Sequence, residues 1–244
     1  MPAARPLAAA LLAAMLAACG SAGTAGPTTS SSTVATPSTT TAAPDPARAG
    51  RLVASIALTD RDLLKGYRVR PIEHGDEVQG QVTFDVCGHR FASETHRIAR
   101  YQTDIVSGTG EAVGGSNEVV AYDSEAAAAA AVEEFRAAVR NCPKNTELPA
   151  GAGGSRPLRY LATSVRSEPG LPAKDNVVAV LTVQRTGSSA KIFTLVLLQR
   201  HGAVLDNLYI NQPEPVTDAD ERTAVGVATP TGKRLVQLAG GGTA

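Results

Sequence analysis

Between residues 81 and 86 the chain alternates polar and apolar side chains, placing Val82, Phe84 and Val86 on one parity. That pattern predicts a half-buried strand leading directly into Cys87. Further strands are predicted over 96–105 and 117–122. The period then changes. From Asp123 or Ser124 an alanine-rich block carries Val132, Phe135 and Val139 as one apolar stripe, which predicts a helix running to about Asn141. Asp123 and Glu125 suit the positive end of its dipole, Arg136 and Arg140 suit the other end, and Pro143 forbids continuation. A shorter helix is predicted near 59–65, with Thr59 as cap, Asp62 three residues on and Gly66 as stop.

The second half reads as a loop over 143–157, then strands over 158–165, 177–184, 191–199 and 203–211. Gly187 and His201-Gly202 supply the turns of a three-strand meander. In 192–198 both parities are mostly apolar, so that strand is expected in the middle of a sheet covered on both faces. A C-terminal helix starts at Thr217-Asp218 and is expected to break at Thr229-Pro230, with Pro230 in the first turn of a second helix. The whole is an α+β fold, a mostly antiparallel sheet with packed helices, in a single domain over 50–244.

Composition changes the picture at the N-terminus. Arg5, an apolar core and Leu16-Ala17-Ala18-Cys19 form a signal peptide over 1–18 that is too short to be a spanning helix. The final tetrapeptide resembles the lipobox of bacterial lipoproteins, which implies a diacylglycerol thioether on Cys19, cleavage before it and acylation, typically with palmitate, as a stable anchor. From 19 to 49 the chain is rich in Ser, Thr, Pro and Ala; thirteen of the twenty-one residues over 21–41 are Ser or Thr. Such a tract cannot bury a core and is expected to be a disordered tether, with a span of roughly 30 Å for a coil of about 28 residues.

Removing the leader removes Arg5, leaving 22 basic and 23 acidic residues, a balance that argues against a nucleic-acid surface. Lipidation of Cys19 leaves Cys87 and Cys142 as an even pair, read as a disulfide outside the cytoplasm. It closes a loop of 56 residues, worth roughly 4 kcal/mol in the chain-entropy model, and pins the predicted helix against the predicted strand. Cys87-Gly88-His89 is the competing metal reading, but no C-x-x-C or further ligand spacing accompanies it. No metal or other cofactor is expected.

Local catalytic motifs fail on context. The stretch 108–114 loosely matches a phosphate loop but joins two predicted strands rather than opening a helix. Ser188 to Lys191 spells S-x-x-K within a hairpin turn, and Gly114-Gly115-Ser116 lacks the elbow of a serine nucleophile. His74, His89, His96 and His201 form no recognisable pair with a nucleophile. His96, Arg97 and Arg100 beside Tyr101 suit an anion-binding rim or, more simply, a charged strand edge that resists aggregation. Tyr101, Tyr122, Tyr160 and Tyr209 are the candidate cleft aromatics. No catalytic residue is assigned, and the ligand-binding residues are not legible.

Phe84-Asp85-Val86-Cys87, Glu118-Val119-Val120-Ala121-Tyr122 and the alanine-rich helix ending Arg140-Asn141-Cys142-Pro143 resemble actinobacterial sensor-domain lipoproteins, a family similar to the extracellular domain of PknH-type kinases. The resemblance implies an α+β domain with a cleft for an extracellular ligand, here with one cysteine pair and no kinase segment. The favoured expectation is therefore a lipid-anchored, extracytoplasmic ligand-binding or sensor domain that is not an enzyme. Its partners would be membrane lipid through Cys19, a small-molecule or envelope ligand held above the meander, and a membrane signalling partner. The alternative is a cell-envelope hydrolase or transferase whose residues assemble only in space; a serine or carboxylate beside a histidine would favour it.

Overall fold

The computed structural model describes residues 45–108, 113–149 and 157–240; the leader, Cys19 and nearly all of the expected tether lie outside them. Asp45 opens the described chain as a helix cap. Its Oδ1 accepts from the Ala47 amide at 3.0 Å, and Pro46 occupies the first helical turn, where its missing N–H costs nothing. The resulting helix α1 (Pro46–Ile56) buries Ala49, Val53 and Ile56, so regular structure begins four residues before the expected domain boundary at Gly50.

Eight strands follow, β1 (Tyr67–Pro71), β2 (Arg97–Ser107), β3 (Val113–Tyr122), β4 (Glu147–Leu148), β5 (Leu158–Arg166), β6 (Asp175–Arg185), β7 (Lys191–His201) and β8 (Val204–Gln212). They form one antiparallel sheet in the order β1-β2-β3-β8-β7-β6-β5-β4. Two meanders therefore meet where β8 docks on β3. The contact is close: a Cβ on Gly115 would lie 2.2 Å from the Tyr209 carbonyl oxygen. As its two apolar parities predict, β7 lies inside the sheet and is buried on both faces.

Helix α2 (Glu125–Arg140) covers one face. Ser124 caps it by accepting from the Ala127 amide, and Ala127, Ala128, Ala131, Val132, Phe135, Ala138 and Val139 are buried. They pack with Val120, Val177, Ala179, Val196, Leu198 and Leu205 of the sheet. Helix α3 (Asp218–Ala239) and α1 cover the other face, which makes three layers in a single α+β domain. Along that face α1 packs near the start of β8 with Val204, Leu235 and Ala239, whereas Leu58, Leu63, Leu208 and Ile210 gather towards its end. The described chain thus enters at one pole and β8 finishes at the other.

Three expected elements take a different form. Residues 81–86 are not a strand but part of an irregular strap over the sheet. Phe84 and Val86 enter the α2 core, with the Phe84 ring 5.2 Å from Phe135, whereas Val82 is exposed. The strap's backbone is satisfied by side chains instead of a neighbouring strand: Arg97 donates to the carbonyls of Val78 and Gln81, and Glu94 accepts from the Thr83 amide. The helix expected near 59–65 is a single 3-10 turn, Asp60–Asp62, whose Asp62 carboxylate accepts from both Thr59 donors and from Arg234. Pro230 does not divide α3, which runs unbroken through it. The Thr229 hydroxyl donates to the Val225 carbonyl and the Thr231 hydroxyl lies 2.9 Å from the Ala228 carbonyl, on either side of the interrupted ladder, and Ala228, Thr231, Gly232 and Leu235 hold the second half on the sheet.

Candidate ligand-binding cleft

The sheet outruns α2. Val177, Ala179, Leu181, Val196 and Leu198 lie in the α2 core, but the same face of β6, β7 and β8 continues past Val183 to Ile192, Thr194 and Asn211. These open a trough of about 780 Å³ above the meander, reaching from Val113 on β3 to Leu158 on β5. Its floor is apolar, with one ordered polar pair, Thr194 Oγ1 donating to Asn211 Oδ1 at 2.8 Å. Arg185 and Lys191 are its only charged lining residues. Both are exposed, and neither is within ion-pairing distance of a carboxylate among the described residues. Among the described residues the trough therefore offers an apolar floor, an amide and hydroxyl pair, and a positive rim without a carboxylate partner.

On the opposite face, at the same end of β8, lies a smaller pocket of about 210 Å³. Leu63, Leu64, Tyr67, Ile105, Ile210 and Val227 make it mainly apolar, with Asn211, Gln212 and Thr223 at its polar edge. Asn211 and Gln212 line both cavities, while neighbouring Val113 and Gly114 line one each. The two cavities thus adjoin across the terminal residues of β8.

Away from this pole, two buried polar networks hold the layers in place. On the α2 side, Glu118 is 2% exposed, with Arg100 Nε 2.8 Å from its Oε1 and Thr83 Oγ1 donating to it at 3.1 Å. Burial pushes its carboxyl up to about 7 against the attraction of Arg100. Arg97 bonds Thr83 and Glu94, so two arginines of β2 and one glutamate of β3 fasten the strap. On the α3 side, Asp206 accepts from Asn117 at 2.7 Å and Thr231 at 2.5 Å, with burial pushing it up to about 6. Asn117 also accepts from the Leu58 amide, and Arg234 clamps the carbonyls of Ile56 and Ala57.

Cys87 and Cys142 are joined by a disulfide with a Cα separation of 5.1 Å. It pins the end of α2 to the irregular strap and not to a strand, since Cys87 sits at φ +58° beside Gly88 at φ +67°. The proposed anion rim does not form. Arg97 and Arg100 are buried and paired, and His96 turns outward to Asp123. Tyr122 and Tyr160 are core residues, burial raises both their hydroxyls, and none of the four candidate tyrosines lines either cavity; exposed Tyr67 does.

His96 Nδ1 lies 2.8 Å from Asp123 Oδ2, which is half of a catalytic arrangement. Ser124, however, donates to Asp123 and caps α2, placing the carboxylate, not the imidazole, next to the hydroxyl. The dyad is exposed on the surface and lines neither cavity. Of the 108–114 stretch, residues 109–112 lie outside the described residues, and Gly114 belongs to β3. Among the described residues no group of three His, Cys, Asp or Glu side chains is placed to hold a metal ion, and no helix is long and apolar enough to cross a membrane.

Sequence reasoning missed the residues that line the cavities. Leu63, Tyr67, Arg185, Lys191, Asn211 and Gln212 come from five separate segments, and apart from Lys191, which ends the rejected S-x-x-K stretch, none belongs to a motif. The one usable signal was the uncovered end of the meander.

An eight-stranded antiparallel sheet with one helix on one face and two on the other defines the class, a three-layer α+β domain. No protein-family model and no curated protein matches the chain. Among solved structures it is similar in fold to the extracellular domain of PknH from Mycobacterium tuberculosis, with 13% identity and a TM-score of 0.50 over 76% of this chain and 97% of that one. Protein CV1439 from Chromobacterium violaceum also aligns, with 13% identity over 79% of this chain and 89% of that one, but its TM-score of 0.22 carries no structural argument.

Proposed function

We propose that this protein is an extracytoplasmic, lipid-anchored sensor or accessory lipoprotein whose domain binds a ligand without transforming it. One observation carries the reading: the 780 Å³ trough above the meander has a size typical of ligand sites, and its described lining residues include no set of nucleophile, base and orienting group. The lipobox-like Leu16-Ala17-Ala18-Cys19 and the Ser/Thr-rich stretch after it support display on a tether. The fold shared with a kinase's extracellular domain supports the sensor role. A membrane signalling partner fits that role, because a lipid anchor does not cross the bilayer. The hydrolase reading draws nothing from the His96–Asp123 pair, which has no hydroxyl aimed at its imidazole.

Two measurements test the proposal. Intact mass of protein extracted from its host's membranes should fit a chain beginning at acylated Cys19; an unacylated chain overturns the anchor. Amide-shift mapping of the whole chain carrying C19S against anionic, cationic and neutral small molecules should perturb Lys191, Thr194 and Asn211. If no compound moves these residues while an ester or amide is turned over in a His96-dependent manner, catalysis replaces binding.

A further inference from the structure

The two cavities differ in chemistry and share residues. The pocket under Leu63, Tyr67, Ile210 and Val227 has no charged lining residue, and its 210 Å³ exceeds the volume of about 150 Å³ that holds benzene in an aliphatic cavity. It suits a short alkyl segment. The trough beyond Asn211 and Gln212 has two cations and, among the described residues, no lining carboxylate. Strand spacing of about 4.8 Å puts β6, which carries Arg185, roughly 10 Å from β8. One molecule lying over the end of β8 reaches both.

We propose that the apolar pocket and the cationic trough are two ends of one site for a monomeric anionic amphiphile, with its alkyl tail beneath Leu63, Tyr67 and Val227 and its anionic head at Arg185 and Lys191. The inference rests on reading the trough as the binding site. Charge selects the head, because an anion meets two cations that have no ion-pair partner among the described residues, at an exposed rim where attraction is moderate and sensitive to salt. Burial selects the tail, since each methylene removed from water strengthens binding about fourfold. The apolar pocket limits how many methylenes count. A free monomer fits the paired cavities better than a bilayer surface, because the tail pocket lies on the opposite face of the sheet from the trough.

The test is titration of the whole chain carrying C19S with inorganic phosphate, hexyl, octyl, decyl and dodecyl phosphate, decyltrimethylammonium and octyl glucoside, all below their micelle concentrations, followed by amide and methyl shifts. Expected are joint perturbation of Lys191 and Ile210 by the alkyl phosphates, affinity that rises with chain length and then levels off, and weak binding of inorganic phosphate. R185E/K191E should lower decyl phosphate affinity at least tenfold. T223W, at an exposed position on the pocket wall, should abolish the chain-length dependence. Both variants substitute exposed residues, and thermal melts check that they fold. Equal affinity for decyltrimethylammonium, chain-length dependence surviving T223W, or binding to anionic vesicles without monomer binding overturns the proposal. Perturbation of Thr194 and Asn211 by octyl glucoside but not by any alkyl phosphate overturns this ligand class and leaves the trough as a binding site. No response to any compound sinks both readings.

Discussion

Asp206→Asn should flatten the pH dependence of stability. Asp206 is 1% exposed, and the groups in hydrogen-bond contact with it are the neutral Asn117, Thr231 and Gln199; Arg234 acts only from a distance. Burial raises its carboxyl from 3.8 to about 6. Below pH 3.8 the folded and unfolded chains both hold the proton. Between 3.8 and about 6 the folded protein retains a proton that the unfolded chain has released, so stability falls as pH rises, and above about 6 the loss is complete. A shift of about two units corresponds to about 3 kcal/mol. Asparagine preserves the packing: its carbonyl still accepts from Asn117, and its amide occupies the second oxygen's place. There the Thr231 hydroxyl can accept while donating to the Ala228 carbonyl at 2.9 Å. The chain has no tryptophan, so urea unfolding followed by far-UV circular dichroism at pH 4, 5, 6, 7 and 8 is the assay. Subtracting the two profiles removes other groups, including Glu118, which titrates near 7 in both proteins. The difference should grow by about 2 kcal/mol from pH 4 to pH 7, in favour of the variant, since part of the full change has already occurred at pH 4. Parallel profiles would refute the assignment of a buried, proton-retaining Asp206.

Replacing Cys87 and Cys142 together by serine should cost roughly 4 kcal/mol of unfolding free energy and speed amide exchange in the strap around Phe84; a loss below about 1 kcal/mol would mean the strap is held by its arginine contacts alone. Gly115→Ala should prevent accumulation of folded protein, because its Cβ would meet the Tyr209 carbonyl at 2.2 Å; a variant that melts like the parent would show that β3 and β8 are not in this register. Pro230→Ala should raise stability by up to about 3 kcal/mol, since it restores an N–H within a continuous helix. A fall in stability on thermal or urea unfolding would mean instead that the Pro230 ring itself sets how α3 meets the sheet.

What was legible in the chain follows from where each segment finds its partners. Helix α2 carries its cap at Ser124 and its stripe at Val132, Phe135 and Val139 in adjacent sequence, so periodicity sufficed. The meander did too, because β7 is apolar on both parities and its neighbours are joined by short turns. Helix α1 was hidden by its setting: Asp45-Pro46 looked like the end of the tether, although Ala49, Val53 and Ile56 stand at helical spacing. The exposed β1 alternates only over Tyr67-Arg68-Val69-Arg70 before Pro71 interrupts it, a run too short to stand out. The strap was the instructive error. Val82, Phe84 and Val86 alternate as a strand does, but a strand needs a neighbour's N–H and C=O groups. Here the acceptors are served by Arg97 from up to 19 residues away. A parity pattern records which side chains seek the core and says nothing about who bonds the backbone.

The same distinction explains why the cavities were the least legible part. A catalytic or metal motif places its groups on one element, whereas this cleft exists because α2 stops short of the end of β6, β7 and β8 while α3 and Leu63-Leu64, after the Asp60–Asp62 turn, wall the reverse face. Its lining residues are ordinary strand and turn positions until topology puts β8 next to β3. The docking of the two meanders therefore does double duty. It buries Asn117, Glu118 and Asp206 in the networks that lock the three layers, and it brings Asn211 and Gln212 to the rim where the two cavities adjoin. Substitutions in the buried networks should act on stability first, while Arg185, Lys191 and Thr223, which make no contact with those networks, leave binding open to change without loss of the fold.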